Sequence, residues 1–380
     1  MRAKLGPIDD TLLVVILALT ITGIILVYTA SFPAAGHLTS MDGLGDPYRY
    51  LKSQLLYGVI GVLLMLAVTR MGTDFLRRRA RLFFFVALGL LLAVFTPLGR
   101  ELGGSRRWLV MWGFSFQPSE FAKIALVIFL ARLLTDKADQ VRRFNLCLRV
   151  VGLACLLALF TLMEPDLGST AVLVAIALGM LFLGGARLWH IGALAGGAGA
   201  LAVLFALGRP YMRERLLAFV DPVAHVQESG YHVIRMMVAL ASGGLWGVGI
   251  GEGTEKWHLP ARHTDAVYCV LGEEMGLLGC VLLLVLFAIF AKRAFDVALR
   301  APDSFARLAA GGLTLALCIQ IITNIAVATA LLPVTGLTLP FISSGGSSLA
   351  MALLAAGIIL SISRSRAPGP QPVPDLTTAA

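Results

Sequence analysis

Ionisable side chains lie inside or at the ends of long apolar segments. A charge there is energetically unfavourable and therefore indicates a structural or functional role. Glu120 and Lys123 stand three residues apart in QPSEFAK, at the start of one such segment. Glu164 and Asp166 belong to EPDLG, between two segments, and Asp265 ends the stretch LPARHTD. Carboxylates supplied by separate segments can act as general bases on a hydroxyl group.

Basic residues accompany these carboxylates, so the same pattern can stabilise a departing anion. The candidates for this role are Arg107, Lys123, Arg215 and Lys256. No Ser–His–Asp arrangement in a recognisable context and no His/Cys metal-ligand spacing is present, which disfavours covalent hydrolysis and zinc chemistry. We therefore expect proton abstraction coupled to the departure of an anionic leaving group.

Each of these groups also has a purely structural interpretation. Glu120 and Lys123 can form an i,i+3 ion pair. Asp166 and Asp265 can each cap the N-terminus of a helix, and Glu164 can be a solvated loop residue. For Gln320, Asn324 and the serines and glycines of Ser343 to Ser348, the structural interpretation is hydrogen bonding or close packing between helices.

The elements that must position these residues are membrane helices. The chain has 380 residues, of which 58% are hydrophobic and only 14% are charged, whereas soluble proteins carry about 25% charged residues. A membrane helix needs roughly 20 apolar residues. The runs that approach this length are residues 11–32, 51–69, 81–97, 118–134, 146–163, 167–185, 188–207, 265–291, 306–331 and 340–362. We predict an all-α integral membrane protein with about ten transmembrane helices.

Basic residues are distributed unevenly over the connections between these runs. If the N-terminus is cytoplasmic, most of the 31 lysine and arginine residues fall on the cytoplasmic side. The positive-inside rule therefore predicts that both termini are cytoplasmic. The same distribution accounts for the net charge of +9 without nucleic acid as a partner, and it favours contact with anionic membrane lipids.

The chain divides into three predicted parts. Residues 1–10 form a cytoplasmic N-terminal tail, residues 11–363 the membrane domain, and residues 364–380 a Pro-rich, disordered cytoplasmic tail. The membrane domain includes a long extracytoplasmic loop, residues 208–264, between the seventh and eighth helices. Within this loop the uncharged, Gly-rich stretch from Met236 to Gly251 is too short to span, so we expect a half-buried or re-entrant element.

Several of these motifs together resemble the SEDS family of ten-helix membrane proteins, the RodA/FtsW/SpoVE group. The resemblance covers the chain except its two tails. It rests on Trp108, QPSEFAK, EPDLG, LPARHTD, GEEMGLLG and NIAVATALLPVTGLTLPFISSGGSSL. The GEE motif and the TLPFISSGGSS run look more like FtsW or SpoVE than RodA, which favours a division-type member. Departures from the usual family residues are Ala261 for Glu, Ala266 for Phe, Ala330 for Gly and Ser344 for Tyr.

The resemblance implies a peptidoglycan glycosyltransferase of the bacterial cytoplasmic (inner) membrane. Such an enzyme polymerises lipid II into β-1,4-linked glycan at the outer face of the membrane. Its implied partners are a class B penicillin-binding protein and, for a division-type member, other divisome proteins. A divalent cation, Mg²⁺ or Mn²⁺, is an expected cofactor with unassigned ligands, and no organic cofactor is expected.

Carried onto this chain, the resemblance makes Asp265 the catalytic residue. As general base it would take the proton of the acceptor sugar 4-hydroxyl, which then attacks the anomeric carbon of the lipid-linked donor with inversion. The expected substrate-binding residues are Glu120, Lys123, Asp166, Arg107, Trp108, Arg215, Lys256, His263 and Ser347.

Three other functions remain open at the level of the sequence. A polar cavity between broken helices is also typical of transporters, which leaves a lipid II flippase possible. Ionisable residues crowded toward one leaflet argue against it. A non-catalytic scaffold that positions the penicillin-binding protein is a second alternative, and an elongation-type RodA enzyme is the third.

Overall fold

The computed structural model describes residues 6–31, 48–102, 105–111, 114–225 and 229–365. The outer parts of the two predicted tails, residues 1–5 and 366–380, lie outside the described residues. Helices account for most of the structure. They are α1 (Asp10–Ser31), α2 (Arg49–Thr69), α3 (Thr73–Ala93), α4 (Pro118–Asp136), α5 (Phe144–Met163), α6 (Leu167–Leu183), α7 (Leu188–Leu207), α8 (Pro210–Val220), α9 (Ser229–Ser242), α10 (Val267–Leu299), α11 (Ser304–Ala328) and α12 (Ser347–Arg364).

Ten of these helices, α1 to α7 and α10 to α12, overlap the ten predicted apolar runs. Within the described residues, seven are long and apolar enough to cross a membrane: α1, α2, α5, α7, α10, α11 and α12. Helix α6 is apolar but has only 17 residues. The chain is a multi-pass, helical membrane protein, and the count of ten crossings stays a prediction.

A small antiparallel sheet lies between α3 and α4, in addition to the predicted helices. Its strands β1 (Gly99–Leu102), β2 (Ser105–Met111) and β3 (Phe114–Phe116) pair in the order β1-β2-β3. The Tyr57 hydroxyl of α2 donates to the Ser115 carbonyl at 2.8 Å, and the Ser115 N–H donates to the same hydroxyl at 2.8 Å. These bonds fix the sheet against α2. The positions of Arg107 and Trp108, which lie on β2, are fixed with it.

The predicted long loop, residues 208–264, is largely structured. It contains α8, α9 and a short 3₁₀ turn at Glu255–Trp257. After α9, the Gly243–Gly251 turn forms backbone hydrogen bonds with the interior of α10. There α10 is broken at Gly276, which has φ of 64° and ψ of −164°. A Cβ at Gly276 would lie 2.4 Å from the Gly247 backbone nitrogen, so only glycine fits at this crossing.

The helices differ in how far the protein encloses them. Of the residues in the apolar stretch of α12, 83% are buried inside the protein, whereas none are buried in the corresponding stretch of α7. Helix α12 packs closely on α2 because both contribute glycine: a Cβ at Gly61 would lie 2.5 Å from a Leu353 methyl, and one at Gly357 would lie 2.7 Å from the Met65 Cα. Helix α12 is therefore central, and α7 lies at the periphery.

Candidate active site

Asp166 stands at the N-terminus of α6, where its side chain caps the helix. Its Oδ1 accepts the Ser169 N–H at 3.0 Å, and the amide of Gln117, just before α4, donates to its Oδ2 at 3.3 Å. The Arg107 guanidinium of β2 lies 3.9 Å from Oδ1 and also donates to the Pro165 carbonyl at 3.2 Å. The predicted capping role is thus present, and Arg107 is held beside the same carboxylate.

Asp265 lies just before α10, in a segment fixed by its backbone. Asn324 of α11 donates to the Asp265 carbonyl at 3.3 Å and to the Leu337 carbonyl at 2.6 Å. The Ser343 hydroxyl donates to the Thr264 carbonyl at 2.6 Å. The segment therefore has its main chain tied to α11 and to the loop before α12. Asp265 does not serve as a side-chain cap of α10, since Ala266 occupies the N-cap position without one.

The Asp265 carboxylate remains half-buried and, within the described residues, makes no ion pair within 4 Å. Arg215 of α8 approaches this region, donating to the Val334 carbonyl at 3.0 Å. Burial raises the pKa of Asp265 to about 6, while the charges of Arg215 and Arg107 lower it and that of Asp166 raises it. A carboxylate with this pKa is mostly ionised at pH 7 yet basic enough to accept a proton.

Glu164, which was not among the predicted site residues, belongs to the same group of charges. It is 1% exposed, and neither of its carboxylate oxygens has a hydrogen-bond partner within the described structure. Burial, followed by the charge of Asp166, raises its pKa to about 8, against a lowering by Arg107. Glu164 is therefore mostly protonated at pH 7. The EPDLG motif marked the position, but its burial was invisible in the sequence.

These five residues are called the charged cluster below: Arg107, Glu164, Asp166, Arg215 and Asp265. They come from β2, the α5–α6 connection, α8 and the residues before α10. Apart from Glu164 and Asp166, which are two residues apart, these residues are distant in sequence, so the fold brings the four segments together. The arrangement combines a poised base, two guanidinium groups and a neutral carboxylic acid.

Glu120 and Lys123 form the predicted i,i+3 ion pair in α4. Lys123 Nζ lies 2.8 Å from Glu120 Oε1 and donates to Gln320 Oε1 of α11 at 2.9 Å. Both side chains are buried and line a small cavity between α4, α11 and α12, about 20 Å³ in volume, which is enough for roughly one water molecule. Gln320 extends the network to the Thr338 carbonyl at 3.1 Å.

Lys256 is the predicted substrate-binding residue whose position least favours that role. It is 1% exposed, and its Nζ donates to Glu274 Oε1 at 2.8 Å and to the Gly251 carbonyl at 2.7 Å. The neighbouring Glu273 carboxylate accepts the backbone N–H groups of residues 254, 255 and 256 at 2.6, 2.7 and 3.1 Å. We call Lys256, Glu273 and Glu274 the loop anchor, because they fasten this segment to α10. The Lys256 charge is paired inside the protein, which favours a structural role, and substrate binding by Lys256 stays a prediction.

The remaining predicted residues lie in three different settings. The Ser347 hydroxyl is buried and accepts the Gln117 N–H at 3.0 Å, which joins α12 to the start of α4. The His263 ring stacks on Tyr50 of α2, with centroids 3.9 Å apart. Trp108 is half-buried on β2, opposite Arg100. Ser347 thus supports the helix that carries Glu120 and Lys123.

No group of three or more His, Cys, Asp or Glu side chains in the described parts of the chain could hold a metal ion by itself. Asp166, which lies 3.9 Å from Arg107, and Asp265 are the carboxylates of the charged cluster that could share a cation with a substrate. Mg²⁺ is commonly bound in this way, by one or two carboxylates together with substrate phosphates.

Comparison with known sequences gives one consistent result. The chain matches the FtsW/RodA/SpoVE family, described as cell cycle proteins, over residues 10–367. Stage V sporulation protein E of Bacillus subtilis is 36% identical over 361 residues, which are 93% of this chain and 97% of that protein. A probable peptidoglycan glycosyltransferase FtsW of Trichlorobacter lovleyi is 37% identical over 366 residues, 95% of this chain and 94% of the relative.

Solved structures with the same fold cover nearly the whole chain. A chain from a peptidoglycan synthase complex, studied for the coordination of polymerization and crosslinking, has a TM-score of 0.76 at 30% identity, covering 94% of this chain and 98% of that one. The rod shape determining protein RodA of Thermus thermophilus has a TM-score of 0.71 at 29% identity, covering 95% and 98%. The similarity therefore includes the helices and connections that form the charged cluster.

Proposed function

Because the chain belongs to the FtsW/RodA/SpoVE family, we propose that it is a peptidoglycan glycosyltransferase that polymerises lipid II into β-1,4-linked glycan at the outer face of the cytoplasmic membrane. Relatives that match almost its full length are named as probable enzymes of this type. The family description as cell cycle proteins and the FtsW relatives support a role in septal synthesis during division. An elongation role is the alternative, since RodA shares the fold.

The observation that carries this proposal is the state of Asp265. Its backbone is fixed by Asn324, and its carboxylate is half-buried without an ion pair in the described structure. With a pKa near 6, it can take the proton of the acceptor 4-hydroxyl as that oxygen attacks the anomeric carbon. A base locked in a salt bridge would be less available for this step.

Departure of undecaprenyl pyrophosphate requires positive charge opposite the base. Arg107 and Arg215 are the basic residues of the charged cluster that can supply it, because guanidinium groups bind phosphate oxygens bidentately. Asp166 holds Arg107 in place. Asp166 and Asp265 would hold Mg²⁺ or Mn²⁺ together with the substrate phosphates, and the ion would supply Lewis-acid stabilisation of the leaving group. Loss of polymerisation on chelation, restored by either ion, tests this cation requirement.

The other predicted substrate contacts are assigned by position. Trp108 adjoins Arg107 on β2, and His263 precedes Asp265 by two residues, so both can border the sugar. Lys123 and Glu120 lie deeper, in the cavity between α4, α11 and α12. We assign this pair to the membrane end of the substrate, where the prenyl chain meets its pyrophosphate.

The cellular setting follows from the same family membership. One relative in structure belongs to a complex that couples polymerization to crosslinking, which supports a class B penicillin-binding protein as partner, together with other divisome proteins. Both termini are proposed to be cytoplasmic, as the basic residues indicate. Lipid II and the surrounding membrane lipids complete the set of partners.

The decisive experiment is the substitution Asp265→Asn in purified protein supplied with lipid II and the partner. Loss of the base should lower polymerisation by about 10²-fold to 10⁴-fold. Asp303→Asn is the matched control, because Asp303 caps α11 by accepting the Ala306 N–H at 2.8 Å and asparagine can do the same. Unchanged polymerisation by Asp265→Asn would refute the proposal, and transfer of lipid II across liposomes without polymer would favour a flippase.

A further inference from the structure

The Gly243–Gly251 turn replaces hydrogen bonds that α10 loses at its break. Val248 and Gly249 donate their N–H groups to the carbonyls of Glu273 and Glu274, at 3.0 and 3.1 Å. In an unbroken helix those carbonyls would accept from Leu277 and Leu278. Instead these two donate to the carbonyls of the turn residues Gly244 and Leu245, at 2.9 and 3.2 Å. The exchange is reciprocal, with two bonds in each direction.

Such pairing is what non-helical backbone requires where water is absent. An exposed turn in water leaves its N–H and C=O groups to the solvent, whereas irregular backbone at membrane depth must be satisfied by protein. Glycine makes the contact possible: a Cβ at Gly243 would lie 1.9 Å from the Gly272 oxygen, and one at Gly247 would lie 2.2 Å from the Glu274 oxygen. The turn is therefore built against α10.

The outer side of the turn is apolar and uncharged. Its exposed side chains are Leu245 (64%), Trp246 (78%), Val248 (46%) and Ile250 (63%). On α10 the adjoining exposed residues are Leu277, Leu278, Val281 and Leu282. Since α10 is long and apolar enough to span a membrane, this second set lies where a spanning helix would meet lipid. The exposed residues of the turn adjoin this second set, because Leu277 and Leu278 are hydrogen-bonded to the turn.

The position of the break along α10 gives the depth of the turn. At 1.5 Å per residue, Gly276 lies ~14 Å along α10 from Val267 and ~24 Å from Lys292 near the opposite end. The hydrocarbon layer is about 30 Å thick. If Lys292 lies at one boundary of that layer, the break lies inside the layer, within the half on the Asp265 side.

We propose that the Gly243–Gly251 turn is inserted into the half of the bilayer on the Asp265 side and that its apolar tip contacts lipid acyl chains. The segment that leads to Asp265 is then anchored twice, by the membrane at the turn and by Glu273 and Lys256 at the loop anchor. This proposal concerns membrane position and holds whether or not the chain polymerises lipid II.

Trp246 reports directly on this position. The protein is reconstituted in phosphatidylcholine vesicles whose acyl chains carry bromine at the 6,7, 9,10 or 11,12 carbons. The emission of one tryptophan is obtained as the difference between the unmodified protein and its Trp→Phe variant. We expect the Trp246 emission, measured with Trp246→Phe, to fall at least twofold in brominated lipid and to resist aqueous iodide.

Trp189 provides the matched control because it is equally exposed, at 83%, and lies at the first turn of α7 next to Arg187. Tryptophans at such positions belong to the membrane interface. The emission assigned by Trp189→Phe should be quenched by iodide and respond least to the 11,12 bromines. Quenching of Trp246 by iodide but not by bromine would overturn the proposal, because the turn would then lie in water. Protection from both quenchers would also overturn it, since protein would cover the tip.

A second variant tests the link between the turn and α10. Gly247→Ala places a methyl group against the Glu274 carbonyl at a residue whose φ is +81°. If that contact holds the turn in the membrane, bromine quenching of Trp246 should fall and iodide quenching should rise. Gly251→Ala is the control, because Gly251 also has positive φ but open space around its Cβ. Equal quenching in both variants would contradict the role of the contact.

Discussion

The charged cluster and the loop anchor both combine carboxylates with basic side chains but satisfy their polar atoms to different degrees. In the loop anchor, Glu273 accepts three backbone N–H groups, and Lys256 bonds both Glu274 and a carbonyl. Only Glu274 Oε2 lacks a partner there. In the charged cluster, both oxygens of Glu164 and the Nε of Arg107 lack one.

This difference separates structural from chemical roles. Buried polar groups in native proteins are nearly always paired, so unpaired ones need an explanation. In the loop anchor the charged side chains are paired with one another and with backbone groups. In the charged cluster, both Glu164 oxygens and the Arg107 Nε are left without a partner, as binding a sugar or a pyrophosphate requires. A third region, the Lys123–Glu120 pair, lies between these cases because it is paired but borders a cavity.

The largest effect is expected from breaking the loop anchor. Lys256→Met leaves Glu274 buried without its counter-charge, and loss of one member of a buried pair lowers the free energy of unfolding by about 3–5 kcal/mol. Thermal unfolding in detergent measures this loss. The double variant Lys256→Met, Glu274→Met should recover most of it, because both charges are then absent. A single variant as stable as the unmodified protein would show that the anchor carries no stability.

The Lys123–Glu120 pair should respond differently. Lys123→Met leaves Glu120 beside a cavity that admits a water molecule, so the loss of stability should be smaller, about 1–3 kcal/mol. If the pair binds the pyrophosphate end of the substrate, polymerisation per folded molecule should also fall at least ~10-fold.

Comparison of the two lysine variants sharpens this expectation. Lys256→Met should retain polymerisation in the fraction that remains folded, whereas Lys123→Met should not. Were Lys123→Met as unstable as Lys256→Met and fully active when folded, the α4 pair would be structural, like the anchor.

The effect of Glu164 is the smallest per pH unit, and it accumulates as the pH rises. Its pKa in the folded protein, about 8, is above the ordinary value of 4.5 because of burial and Asp166. Between these values the folded state holds a proton that the unfolded chain has released, so stability falls as pH rises, by up to about 1.4 kcal/mol per pH unit. Glu164→Gln, which stays neutral, should abolish this fall.

Thermal unfolding of Glu164→Gln and the unmodified protein from pH 5 to pH 8.5 provides the measurement. The variant should gain stability relative to the unmodified protein as the pH rises, with the difference levelling off above pH 8. An identical pH dependence in both proteins would mean that Glu164 is ionised in the folded state. The charged cluster would then carry one more negative charge than we infer.

Much of the fold can be predicted from residues that are close together in the sequence. The ten apolar runs predict ten helices, because a stretch of roughly 20 apolar residues in lipid must satisfy its backbone internally. The α4 ion pair is similarly local, since residues three apart share one face of a helix. Capping of α6 by Asp166 depends only on the next three residues. The sequence does not predict the sheet, because its strands, of four, seven and three residues, have no clear periodic pattern.

Only the tertiary structure decided which buried polar groups are paired within the protein and which lack a partner. The sequence determined that Lys256 and Asp265 are present near one another in the chain and that both would be costly in a membrane. It could not show that Lys256 pairs with Glu274 of α10, or that Glu164 is buried without a partner beside Arg107. Burial and pairing depend on elements distant in the chain, and the pKa of a carboxylate follows from those surroundings and not from its neighbours in sequence.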